Sequence, residues 1–199
     1  MINEPPFNPA FLLDVLQTRR SVPSKQLTEP APDDDTVQRM LQAAVRVPDH
    51  GKLVPFRFLR IQGVDRHALG EALAARTLQR DPGAPQATIE KDRARFSHAP
   101  LVITVVARIT PGHKVPEQEQ LLTAGCVCFA LLQSAQALGF GAQWLTGWAA
   151  YDQVIADTLG LQANEKVAGF IHIGTPRLAV PERDRPDAAT LLQDWHARA

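Results

Sequence analysis

The chain has 199 residues, a length suited to one domain with its own core, and its 21 Lys plus Arg balance 21 Asp plus Glu for zero formal net charge. Hydrophobic residues make up 45% and charged residues 21%, the balance of an ordinary globular protein. A neutral chain offers no electrostatic case for nucleic acid or an anionic membrane surface, so neither kind of partner is expected.

The first residues, Met1-Ile2-Asn3-Glu4-Pro5-Pro6, are polar and proline-broken, unlike a secretory leader. No apolar run approaches the roughly 20 residues that cross a bilayer, and the expected compartment is the cytoplasm. Cys126 and Cys128 fall in one helical stretch. Two positions on a helix turn through about 200°, so the thiols point apart and suit neither a mutual disulfide nor a shared metal. Both read as small buried apolar residues.

In chain order, Asn8-Pro9 opens a helix with a cap and a first-turn proline, and Phe11, Leu12, Val15 and Leu16 repeat at helical spacing to about Thr18. Pro30-Ala31-Pro32 breaks the chain. Asp33-Asp34-Asp35 starts a second helix with the stripe Val37, Met40, Leu41, Ala44 and Val45, stopped by Pro48. Phe56 to Ile61 alternates as a strand. Asp65 is expected to cap a helix to about Gln79 with Leu69, Leu73 and Leu78 inward, and Asp81-Pro82-Gly83-Ala84-Pro85 is a turn. A polar helix from Gln86 to about Ser97 follows. Leu101 to Val106 has the β-branched density of a central strand covered on both faces.

From about Pro116 to Leu138 a helix is apolar almost all round, which demands burial on every side. About four strands give one small domain limited means to do that alone, so a homodimer interface is expected. A strand at Gly141 to Leu145, a helix from Asp152 to Leu159 and a strand from Gly169 to Ile173 complete the fold, with an Arg- and Pro-rich tail after Pro176. The fold class is α+β, a central mixed or antiparallel sheet flanked by helices, in one domain over 1–199.

Several chemistries lack their motifs. There is no G-x-x-x-x-G-K-[ST], no H-E-x-x-H, no paired C-x-x-C and no G-x-S-x-G, so phosphate-loop, zinc and serine-hydrolase readings have no support. Gly139-Phe140-Gly141 runs from helix into strand, the reverse of a dinucleotide-binding turn.

What remains are two corners where helices stop. Arg19, Arg20 and Ser21 offer rigid guanidinium forks and a hydroxyl suited to phosphate oxygens. Arg46 and His50 form the second corner, and the two together could grip one large polar ligand. Alone, Arg19 and Arg20 read first as surface cations complementing a helix C-terminus, and Arg46 and His50 carry the same ambiguity, Arg46 at its helix end and His50 as a turn histidine. The run Gln143-Trp144-Leu145-Thr146-Gly147-Trp148 places aromatic walls at a strand end. Tail residues Arg177, Arg183 and Arg185 could close over a phosphate, while His98, His113 and His172 stand alone.

With those residues assembled, the chain resembles the FMN-dependent nitroreductase family, in particular its minimal, YdjA-like NAD(P)H nitroreductases. The matching blocks are Thr18-Arg19-Arg20-Ser21, Ala43 to Gly51, Pro55-Phe56-Arg57-Phe58, Ala99 to Ile103, His113 to Pro116, Gly125-Cys126, Gly139-Phe140-Gly141 and Gly169 to Pro176. The resemblance implies an intertwined α+β homodimer with FMN at the subunit interface and NAD(P)H as co-substrate. It implies that Arg19, Arg20 and Ser21 hold the phosphate and the pyrimidine side of the ring. Arg46 and His50 would come from the second corner, in one arrangement from the other subunit, and Trp144, Leu145 and Thr146 would line the cofactor. Relatives often carry Arg where Leu145 stands. Ser134 to Gly139 matches a segment linked to the nicotinamide substrate. No side chain is assigned as catalytic or as a metal ligand, because the flavin carries hydride from NAD(P)H to a small-molecule electron acceptor in a ping-pong cycle. Two rivals stay open: another reaction on this fold, such as dehalogenation or flavin fragmentation, and a non-enzymatic FMN-binding or storage protein.

Overall fold

The computed structural model describes residues 9–197, with side chains from residue 13 onward. The Asn8 cap lies outside the described residues, and so do the side chains of Phe11 and Leu12, whose helical spacing the sequence showed. Six helices, α1 Pro9–Gln17, α2 Asp34–Ala44, α3 Val64–Arg80, α4 Gln86–Arg93, α5 Glu117–Ala137 and α6 Gln153–Thr158, surround strands β1 Leu27–Thr28, β2 Phe56–Gln62, β3 Leu101–Arg108, β4 Gly141–Leu145 and β5 Glu165–Pro176.

The strand order is β1-β5-β3-β2, with β4 paired to β5 as well, and all the pairings are antiparallel. The sheet is therefore purely antiparallel. β3 carries the β-branched run and lies between β2 and β5, buried on both faces except at Arg108. Its alternation feeds two cores. Leu101, Ile103, Val105 and Ala107 pack with Val37 and Met40 of α2 and Val127, Cys128 and Leu131 of α5. Val102 packs with Leu69 and Leu73 of α3, Phe96, Ile155 and Phe170 on the other face. The result is a helix–sheet–helix sandwich.

Several boundaries differ from the sequence reading. α3 starts at Val64 after Gly63, whose φ of 56° suits glycine, so Asp65 lies in the first turn instead of capping it. Leu78 faces solvent because Leu69 and Leu73 already fill the inward stripe. Val45 is also exposed, past the last turn of α2. α4 stops at Arg93, short of Ser97, so that Phe96 can turn into the core and stack edge-on against Phe170 with ring centroids 4.9 Å apart. β5 begins at Glu165, four residues before the expected Gly169, because Arg57 of β2 grips Glu165 through two hydrogen bonds of 2.7 Å.

α5 is the other departure. Its 21 residues match a membrane span in length and composition, yet Ala124, Val127, Cys128, Leu131 and Ala135 are sealed against the sheet. The opposite face, with Leu121, Leu122, Cys126 and Phe129, is exposed. Cys126 is therefore not a buried residue, although it does point away from Cys128. An apolar helix is thus buried by its own chain on one side alone.

Candidate functional site

The first corner is built by the end of α1. The chain leaves the helix through Thr18, whose N–H donates to Asp14 O at 2.8 Å, and is then laid along β4. Val22 N–H donates to Ala142 O at 3.0 Å and Ser24 N–H to Gln143 Oε1 at 2.6 Å. Gly141 permits this approach, since a Cβ there would meet Leu27 and Val22 side-chain carbons at 2.8 and 2.9 Å. Arg20 N–H donates to Gln136 Oε1 of α5 at 3.2 Å, fixing the segment between two helix ends.

The tail returns to the same place. Arg19, Arg20, Ser21, Arg183 and Arg185 surround a small cavity of about 80 Å³, closed by Val180 and Pro181. Arg19 donates to Ser21 Oγ at 3.1 Å, and Glu182 pairs with both Arg20 and Arg185. Burial, then the neighbouring guanidinium groups of Arg185, Arg183 and Arg20, pull the Arg19 pKa below its ordinary value. So many cations around one cavity are short of negative charge, which is the donor set of an anion site. Among the three tail arginines, Arg183 and Arg185 reach this corner. Arg177 is placed elsewhere, with its backbone N–H on Gln26 O at 2.9 Å.

The second feature is an apolar groove of about 830 Å³ along the open face of α5. Val15 and Leu16 of α1, Arg46, Val47 and Pro48 after α2, Leu122, Cys126, Phe129 and Gln133 of α5, and Trp144 of β4 line it. Trp144 is set by a β-bulge. Val105 lies opposite Gly169 and Val106 opposite Val167, so Ala168 is the extra residue, and its free carbonyl accepts the Trp144 indole N–H at 3.2 Å. The indole lies flat on Gly169, where a Cβ would come within 2.1 Å of Nε1. Gln133 Oε1 is buried with no hydrogen-bond partner among the described residues, leaving an acceptor for a ligand donor.

The structure thus gathers Arg19, Arg20 and Ser21 in the basic corner and Arg46 with Trp144 in the groove, whereas the sequence placed both corners on one ligand. Within one chain they line separate cavities, linked through α1, which gives Val15 and Leu16 to the groove and leads into Arg19 at the corner three residues later. His50, Leu145 and Thr146 line neither. His50 Nδ1 lies 2.7 Å from Glu119 Oε2 at the start of α5, and strand alternation turns Leu145 away from the side that Trp144 faces. Trp148 belongs to a different cluster, its indole N–H on Asp92 at 3.2 Å and Arg80 stacked 4.6 Å over its ring. His172 is a buried core residue stacked on Phe96, and burial, then His98 and Arg95, push its pKa down to about 4.

Sequence reasoning missed Gln133, Phe129 and Leu122 as groove residues. The all-round apolarity of α5 was the signal for Phe129 and Leu122. Nothing in the sequence marked Gln133, because an amide on such a helix is equally at home facing solvent.

An antiparallel sheet between helical layers, with a groove and an arginine corner on one side, defines an α+β protein of nitroreductase-like fold. The nitroreductase family profile matches residues 16–175, and the chain belongs to that family. It is 37% identical over 166 residues to YdjA of Escherichia coli strain K12, a protein to which NAD(P)H nitroreductase activity is ascribed, with 83% of this chain and 88% of YdjA covered. A nitroreductase-like protein of Bacillus cereus superposes with a TM-score of 0.79 at 20% identity, covering 98% of this chain and all of that one. A nitroreductase-family protein of Desulfovibrio desulfuricans, solved in complex with FMN, superposes with a TM-score of 0.70 at 26% identity, covering 96% of this chain and 99% of that one.

Proposed function

We propose that this protein is an FMN-dependent NAD(P)H oxidoreductase acting as a cytoplasmic homodimer and delivering electrons to a small-molecule acceptor of the nitroaromatic or quinone type. The observation that carries the reading is the arginine corner. Four guanidinium groups and a hydroxyl around a cavity of about 80 Å³ suit a phosphate, and a groove with an aromatic wall lies one helix end away.

FMN, when bound, supplies hydride acceptance from NAD(P)H and hydride delivery to the acceptor. The chain's own work is to bind and position it. Arg19, Arg20, Ser21, Arg183 and Arg185 hold the phosphate group, and Arg46 lends positive potential to the groove. Trp144 and Phe129 form apolar walls that keep water from a flat ring, and Gln133 Oε1 accepts from a polar edge. His50, Leu145 and Thr146 enter this reading from the family resemblance alone, and none of them is asked to transfer a proton.

The exposed Leu121, Leu122 and Phe129 supply the dimer contact, since an apolar face of this kind is stable in water when a second copy covers it. In such a dimer Arg46 and His50 complete the partner's site, which reconciles two corners that one chain keeps apart.

The test is the visible spectrum of the purified, dialysed protein, followed by anaerobic addition of NADH or NADPH. A flavin spectrum that bleaches is the expected result. Bound flavin that stays oxidised would favour the storage reading, and failure to take up added FMN would overturn the assignment.

A further inference from the structure

The basic corner already contains a carboxylate. Glu182 pairs with Arg20 Nη2 and accepts from Arg185 Nε at 3.2 Å, so it holds two of the four guanidinium groups that line the cavity. Its own neighbours Arg183 and Arg185 and the more distant Arg20 keep the carboxyl below its ordinary pKa, with the backbone N–H of Arg183 the leading cause. The segment that carries it is tethered lightly. Between Arg177, whose N–H reaches Gln26 O, and Thr190, no backbone-to-backbone hydrogen bond ties the tail to the body among the described residues. Its attachment is through side chains: Val180 against Val22, Leu27 and Ala99, the Glu182–Arg20 pair, and Arg185 Nη2 donating to Arg19 O at 3.5 Å.

We infer that Glu182 is an internal stand-in for the flavin phosphate, and that FMN binds by exchanging its phosphate for this carboxylate on Arg20 and Arg185. This rests on the FMN reading given above. A phosphate brings more charge and three acceptor oxygens where the carboxylate offers one charge and two, so it displaces Glu182 without the arginines having to be rebuilt. The exchange has a consequence for affinity. In the flavin-free protein Glu182 keeps the cations paired and oriented, and every FMN that enters must first break those pairs. Glu182 therefore sets how tightly the phosphate end is held, and it has no bearing on a flavin that lacks the phosphate.

The experiment is a fluorescence titration of the full chain, stripped of flavin, with FMN and separately with riboflavin, for the parent protein and Glu182→Gln. Glutamine keeps the shape of the side chain and removes the charge, at an exposed position where folding is not at stake. For a solvent-exposed pair, FMN binding by E182Q is expected to be about two- to fivefold tighter at low salt, with the gap narrowing as salt rises. Riboflavin binding is expected to be unchanged. If E182Q binds FMN with equal or weaker affinity, Glu182 organises the arginines and does not compete for them, and the inference is wrong. If riboflavin tightens as much as FMN, the effect lies outside the phosphate corner and the inference is equally wrong. If the parent protein takes up no FMN at all, the flavin reading fails, and this inference goes with it.

Discussion

Gly169 offers the sharpest test of how the groove wall is made. In Gly169→Ala the new Cβ would stand 2.1 Å from Trp144 Nε1 and 2.5 Å from its Cδ1, well inside any real contact. The backbone at this position needs no left-handed conformation, so the whole cost is steric. The indole must leave, giving up its 3.2 Å hydrogen bond to Ala168 O and its packing on the strand. A lost hydrogen bond of this kind is worth about 1 kcal/mol and overpacking about 1–3 kcal/mol. Trp144 is 37% exposed and can swing outward, so the sum falls at the lower end, about 2 kcal/mol. Urea unfolding of the parent, G169A, W144A and the double variant reads this directly. In W144A the clash is gone, so G169A should cost nearly nothing there, a coupling of about 2 kcal/mol. FMN affinity should fall in G169A, because the displaced ring no longer lines the groove. Equal destabilisation by G169A with and without Trp144 would refute the reasoning.

Three further outcomes follow from the same structure. Arg20→Ala should weaken FMN binding about tenfold while leaving riboflavin binding near the parent value, as loss of one charge-assisted contact to a phosphate would; equilibrium dialysis of both flavins decides it. Leu122→Glu with Phe129→Glu should convert the proposed dimer to monomer in sedimentation velocity, because two carboxylates would be buried on an apolar face; an unchanged mass would place the interface elsewhere. Glu165 is held at a pKa of about 2, first by the hydrogen bonds from Arg57, against an ordinary 4.5. A depressed carboxylate stabilises the fold above its unfolded pKa and loses that contribution as pH falls toward its folded one. Up to about 3 kcal/mol should therefore disappear between about pH 5 and 2, and Glu165→Gln should flatten that acid limb in thermal unfolding.

Much of this protein is legible from its residues in order. The β-branched density of Leu101 to Val106 specified a strand covered on both faces, and the acidic run Asp33-Asp34-Asp35 and Asp152 marked helix starts, where the structure uses Asp33 and Asp152 as caps. Arg19, Arg20 and Ser21 marked a candidate anion corner, since guanidinium forks suit phosphate oxygens, although cations at a helix C-terminus carry the same signal. Local signals of this sort depend on spacing and side-chain chemistry, which sequence records directly.

Other features depend on contacts between residues far apart in the chain. The antiparallel sense of every pairing, the early start of β5 at Glu165 and the turn of Phe96 into the core each answer to a distant partner. The choice of Arg183 and Arg185 over Arg177 was invisible in sequence, since all three are exposed tail arginines of one chemistry, and only the path of the tail past residues 19–21 separates them. Glu182 is the extreme case. Its role in the corner arises because residues 19–21 and 182–185, at opposite ends of the chain, are folded to the same point, and no spacing rule links charges separated by so much sequence.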